Sequence, residues 1–151
     1  SPLQNRNYIP ALRIAAFGEG LELQKLEALA HALDISLDCH EKDRLSLGHR
    51  AADCQFDRWT AALLLFHDHE WELPLLEQAL DSQAFYIGAQ GGENARVART
   101  LALTQRGVAE ERIARIRSPI GLIPSCKTPA SLALSALAEI VAEYERLHAS
   151  A

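Results

Sequence analysis

Three short stretches concentrate the residue types that do chemistry. Gly18-Glu19-Gly20 stands between an apolar run, Leu12–Phe17, and a segment of helical spacing. In a dinucleotide-binding fold this junction holds the phosphate loop, because glycines let the backbone approach a pyrophosphate and the helix N–H groups face it. Glu41 closes the next strand candidate, near the spacing of about 20 residues at which a carboxylate takes a ribose hydroxyl. Two details depart from that pattern. Leu23 occupies the third glycine position, and Glu19 and Glu22 bring carboxylates to where a pyrophosphate would lie.

The second stretch, His67-Asp68-His69, follows the most apolar run of the chain, Ala61–Phe66. On extended backbone the two histidines share a side, which suits a metal, but two ligands are short of a coordination set. Asp68 can instead cap the helix that follows. The reading kept here is a cleft-lining role for His67 or Asp68 and no metal site, since ligands gather outside the carboxyl ends of parallel strands. The third stretch, Gly88-Ala89-Gln90-Gly91-Gly92, is another strand-to-helix turn that could approach a ligand or only supply positive φ. Among Cys39, Cys54 and Cys126, the last precedes Lys127 and a helix start, where a thiolate is favoured. No G-x-S-x-G elbow and no GxxxxGK[ST] loop is present, which removes those hydrolase and nucleotide-triphosphatase readings.

Strand candidates at Leu12–Phe17, Ile35–His40, Ala61–Phe66 and Ala84–Ile87 must position these turns. Helical spacing covers Leu21–Leu33, Leu73–Leu80 and Glu93–Arg106, with a short helix within Ala109–Arg117. Asp43–Trp59 and Ser118–Lys127 read as loops. Thr128-Pro129 opens a long helix whose stripe is Leu132, Ala136, Leu137, Ile140, Val141, Tyr144 and Leu147. Continuous apolar strands alternating with helices predict one doubly wound, Rossmann-like α/β domain with a mostly parallel sheet. Leu12–Phe17 and Leu63–Phe66 should be its neighbouring central strands.

The chain has 151 residues, 48% hydrophobic and 23% charged, enough for one cored domain and unlike a disordered or disulfide-stapled chain. A net charge of −5 excludes general nucleic-acid binding. No apolar run reaches membrane-spanning length, and three unpaired-looking cysteines fit a cytoplasmic setting. Met is absent even from position 1, so either an initiator precedes Ser1 or the chain is a piece of a longer protein.

Phe66-His67-Asp68-His69-Glu70, Tyr86-Ile87-Gly88-Ala89, Ser118-Pro119-Ile120-Gly121-Leu122, Lys127-Thr128-Pro129 and Ala138-Glu139-Ile140-Val141 together resemble the XdhC/CoxI family of xanthine dehydrogenase accessory factors. The likeness is to their C-terminal Rossmann-like domain, assigned to residues 12–149 behind an N-terminal extension, 1–11. It implies a protein that binds molybdenum cofactor, as molybdopterin or its dinucleotide form, and hands it to a xanthine dehydrogenase-like molybdenum hydroxylase. By position, Gly18, Gly20, Glu41, His67, Asp68, Gly88 and Gly92 match the family's cleft-lining motifs. The chain departs from the family at Gly18-Glu19-Gly20-Leu21, usually Gly-Ala-Gly-His, at Glu41, usually Asp, at Gly92-Glu93-Asn94, usually serine and basic residues, and at Ile123-Pro124-Ser125-Cys126, usually Asp-Ile-Gly-Ala. Full-length members also carry an N-terminal domain with a cysteine motif. The resemblance favours a cofactor-insertion protein over an enzyme; the alternatives are an NAD(P)-binding oxidoreductase domain or an interaction module that kept the fold without a ligand. Trp59, Trp71 and Phe56, in or beside loops, are expected to form an exposed patch that a homodimer would cover.

Overall fold

In the computed structural model, which describes residues 10–150, five parallel strands lie in the order β2-β1-β3-β4-β5. They are β1 (Arg13–Gly18), β2 (Ser36–Glu41), β3 (Thr60–Leu65), β4 (Tyr86–Ala89) and β5 (Ile116–Arg117). The helices are α1 (Gly20–Ala32), α2 (Glu72–Leu80), α3 (Glu93–Gln105), α4 (Glu110–Ile113) and α5 (Pro129–Ala149). Most of the 1–11 extension falls outside the described residues.

The period-two geometry of a strand splits the apolar runs between two faces. Ile14 and Ala16 of β1 and Leu63 and Leu65 of β3 meet α1 and α5 through Leu23, Leu26, Leu137 and Ile140. Ala15, Phe17, Ala62 and Leu64 point the other way, against Leu75, Leu76 and Ala79 of α2 and Leu103 of α3. Both faces are covered, so the strands need no polar alternation. The expected pairing of the first and third strands is present, parallel and in register from Arg13 with Thr60 to Gly18 with Leu65. α5 starts at a reciprocal cap: Thr128 accepts from Ser131 N, and Ser131 Oγ accepts from Thr128 N.

The short helix expected within Ala109–Arg117 is α4, and two strand boundaries are added to the expected set. After α4 the chain extends and Ile116–Arg117 pairs with the open edge of β4. The fourth strand continues past Ile87 through Gly88 and Ala89. Gly88 permits this because its bare Cα faces Tyr86 and Ile120. An added Cβ would lie 2.8 Å from Ile120 Cγ2 and 2.8 Å from Tyr86 Cε1.

The aromatic patch is also corrected. Trp59 is 9% exposed and sets its edge on Tyr144 of α5, at 6.2 Å. Phe56 packs edge-on to Phe17, and Trp71 stacks on Phe66. The reason is the 45–58 connection, which folds back onto α2. Gln78 accepts from Ala51 N and donates to the carbonyls of Ala51 and Cys54, and Arg50 pairs with Asp81. Trp59 is thus buried, and Phe56 and Trp71 are half-buried against the core rather than forming a fully exposed patch.

Candidate functional site

A crevice forms in an open parallel sheet where adjacent strands send their helices to opposite faces. Here β1 leads into α1 on one face and β3 leads into α2 on the other. A cleft of about 460 Å³ opens beside that point, between the Gly18–Gly20 turn and the end of β2. Gly18 has φ +147° and lies against β3, where a Cβ would come within 2.2 Å of the Leu65 carbonyl oxygen. Gly20, at φ +86°, forms the lip, with room for a Cβ limited by His67 Nε2 at 3.1 Å and Glu22 Oε2 at 3.2 Å. Only glycine satisfies both positions without strain.

Glu41 is the register partner of Gly18 across β1 and β2, exposed and in the cleft wall. The sequence spacing between them thus becomes direct adjacency. His67 stands at the lip, Nε2 3.3 Å from Glu22 Oε2. Asp68 accepts from Glu70 N and caps the short turn before α2, the capping role weighed from sequence. Gly88 is buried in β4, and Gly92 is the exposed N-cap of α3 beside a separate shallow groove. The structure therefore gathers Gly18, Gly20, Glu41 and His67, and leaves Gly88 and Gly92 outside the cleft. His67 and His69 turn to different carboxylates, Glu22 and Glu72, and no three metal-ligating side chains cluster among the described residues.

The cleft is acidic. Glu19, Glu27, Glu41 and Asp43 line it against one cation, Lys42. Lys42 Nζ lies 3.5 Å from Glu19 Oε2 and 5.5 Å from the centre of the Trp71 ring. That Glu19 oxygen is shielded from solvent and receives no hydrogen bond. Cys39 also lines the cleft. Burial, then the charge of Glu27 and a hydrogen bond to it, push its thiol up to about 11, so it is neutral at pH 7. On the opposite face of the sheet, Cys54 Sγ lies 3.3 Å from His40 Nε2. Burial raises that thiol, reinforced by Asp38 and Asp53, and burial lowers His40. The pair is a thiol and a neutral imidazole, not an activated ion pair. Cys126 donates to the Ile123 carbonyl at 3.4 Å, and Thr128 rather than Cys126 caps α5.

Sequence reasoning missed the anchor of the neighbouring strand ends. Glu72, 1% exposed, accepts from Arg99 Nε at 2.7 Å and Arg99 Nη2 at 3.1 Å, and meets His69 Nδ1 at 2.6 Å. Arg99 also donates to the Gln90 carbonyl and Ser118 Oγ. One buried guanidinium thus ties α2, α3, the turn after β4 and the loop after β5. The available signal was a carboxylate opening an apolar helix and an arginine four residues before Leu103 on the same helical stripe.

The motifs that distinguish the sequence also meet in space. Tyr86 Oη donates to Glu139 Oε1 at 2.6 Å, which accepts from Gly121 N as well. Ile120 covers Gly88, and Ser135 Oγ accepts from Ile123 N at 2.7 Å. Burial, then the bond to Glu139, raises the Tyr86 phenol. The Tyr-Ile-Gly-Ala and Pro-Ile-Gly-Leu segments and α5 form one packed unit.

This architecture has relatives. Residues 14–140 match the model of the XdhC Rossmann domain. The chain is 37% identical over 139 residues to the molybdenum cofactor insertion chaperone PaoD of Escherichia coli (strain K12), covering 92% of this chain and 42% of that protein. A crystal structure described as a xanthine dehydrogenase from Bacillus halodurans superposes with TM-score 0.69 at 17% identity, covering 92% of this chain and 44% of that one; at this identity the likeness concerns the fold. The chain spans less than half the length of either protein. With the match running through all five strands and most of α5, the chain belongs to the XdhC family through its Rossmann domain.

Proposed function

We propose that this chain binds molybdenum cofactor and hands it to a molybdenum hydroxylase of the xanthine dehydrogenase kind, residues 12–149 forming the binding domain. The observation that carries the reading is the cleft of about 460 Å³ at the switch point, with its glycine lip. The named activity of the 37% identical relative supports it. Gly18 and Gly20 would admit the ligand close to the backbone, Glu41 would accept hydrogen bonds from it, and His67 and Asp68 would border its exit. The cargo supplies the pterin and the metal; the chain's residues bind, orient and release it. Gly88 would serve from below by letting β4 continue under Ile120, and Gly92 would serve by opening α3 outside the cleft.

Producing a molybdenum hydroxylase with and without this chain tests the handover. The expected result is a client with full protein yield but lower cofactor content when the chain is missing. Equal cofactor content in both preparations would refute it.

A further inference from the structure

We infer that the cleft at Gly18–Gly20 takes an uncharged group rich in hydrogen-bond donors, a pterin ring or a ribose diol, and turns the ligand's phosphates away. The inference rests on the cofactor-binding reading and settles which end of the ligand enters. A glycine turn ahead of a helix usually suits a phosphate, because the free N–H groups and the helix dipole attract negative charge. Here the backbone of such a turn is kept, with Gly18 and Gly20 both at positive φ, but the charges around it are reversed. Four carboxylates line the cleft, and its single ammonium group, Lys42, is held by Glu19. Glu22, 13% exposed in the first turn of α1, adds a further negative charge at the helix start and engages His67. A phosphate placed here would meet like charges.

The same groups suit another chemistry. Ionised carboxylates are acceptors only. A pterin presents an amino group and ring N–H groups, and a ribose presents two hydroxyls. Each would give charge-assisted hydrogen bonds to Glu41 or Asp43. Leu23, Leu45 and Trp71 complete the wall with apolar surface for a planar ring. An acidic cleft with apolar sides thus selects donors and rejects anions.

Calorimetric titration of the purified chain with 6-methylpterin, methyl riboside and inorganic pyrophosphate tests this. Methylpterin or methyl riboside should bind saturably, the tighter of the two identifying the ring or the diol, and pyrophosphate should be at least about tenfold weaker than it. Glu41 is exposed, so Glu41→Gln should keep the unfolding temperature while weakening the tighter probe about fivefold to tenfold, the difference between a charged and a neutral acceptor. Pyrophosphate binding as tightly as the better probe would overturn the inference, as would an unchanged affinity in Glu41→Gln. If pterin copurifies with the chain and yet neither uncharged probe binds, this inference fails while the cofactor reading stands. If no pterin copurifies and no probe binds, both fall.

Discussion

Replacing Arg99 with Met tests whether the buried ion pair holds α2, α3 and the ends of β4 and β5 together. Arg99 makes two hydrogen bonds to Glu72, one to the Gln90 carbonyl and one to Ser118. Its side chain is 3% exposed and that of Glu72 1%, so solvent cannot replace the lost cation. Breaking a buried pair from one side leaves Glu72 with only His69 as a partner and costs up to about 3–5 kcal/mol. Against a typical domain stability of about 5–15 kcal/mol, that is a large fraction. For a chain of this size the unfolding temperature should fall by roughly 6–20 °C. Urea unfolding followed by circular dichroism measures the loss, and an unchanged m-value would assign it to stability rather than to a looser native state. Removing both charges, as in Arg99→Met with Glu72→Met, should recover most of it, because apolar side chains of similar volume replace buried ion pairs at little cost. A single variant within about 1 kcal/mol of the parent, or a double variant less stable than the single, would refute the reasoning.

Three further outcomes follow from other parts of the structure. Gly88→Ala should cost about 1–3 kcal/mol, because its methyl group must displace Ile120 and Tyr86; an unchanged urea midpoint would show that β4 has room there. Glu19→Gln combined with Glu22→Gln should strengthen pyrophosphate binding by about 0.3–1 kcal/mol per charge removed near the start of α1, and equal or weaker calorimetric affinity would count against electrostatic exclusion. Burial lowers His40 below its ordinary 6.5, so as pH falls through that value the unfolded chain takes up a proton that the folded chain resists. Stability should therefore decline between about pH 7 and pH 5 with a slope that His40→Gln flattens; parallel curves for the two proteins would assign the decline to other groups.

The fold was largely legible because β1 and β3 are runs of apolar residues too continuous for a half-exposed sheet, each followed by a turn and a helical stripe. The first-strand pairing, the Thr128 cap and the inward face of α5 came from the same local signals. β5 was not legible: two residues, one half-buried and one exposed, carry no periodicity, and only the open edge of β4 makes them a strand. For the aromatics, position in a loop does not mean exposure, because Gln78 and Asp81 fold the 45–58 connection back over the helix. In the site, Gly18, Gly20 and Glu41 could be found by spacing because strand register converts that spacing into adjacency. Glu72 and Arg99 could not, since their partnership spans two helices and no motif marks it. Gly88 stands out in the sequence as a glycine after a strand, and in the structure its bare Cα faces Ile120 and Tyr86.

Whether this domain carries molybdenum cofactor is read most directly from what copurifies with it. The chain should be produced in cells that make the cofactor, purified without oxygen, and its bound small molecules oxidised and identified by mass spectrometry. A molybdenum-cofactor pterin in proportion to protein is expected, reduced in Glu41→Gln while folding is unchanged. Pterin no higher than in an unrelated protein purified the same way would contradict it.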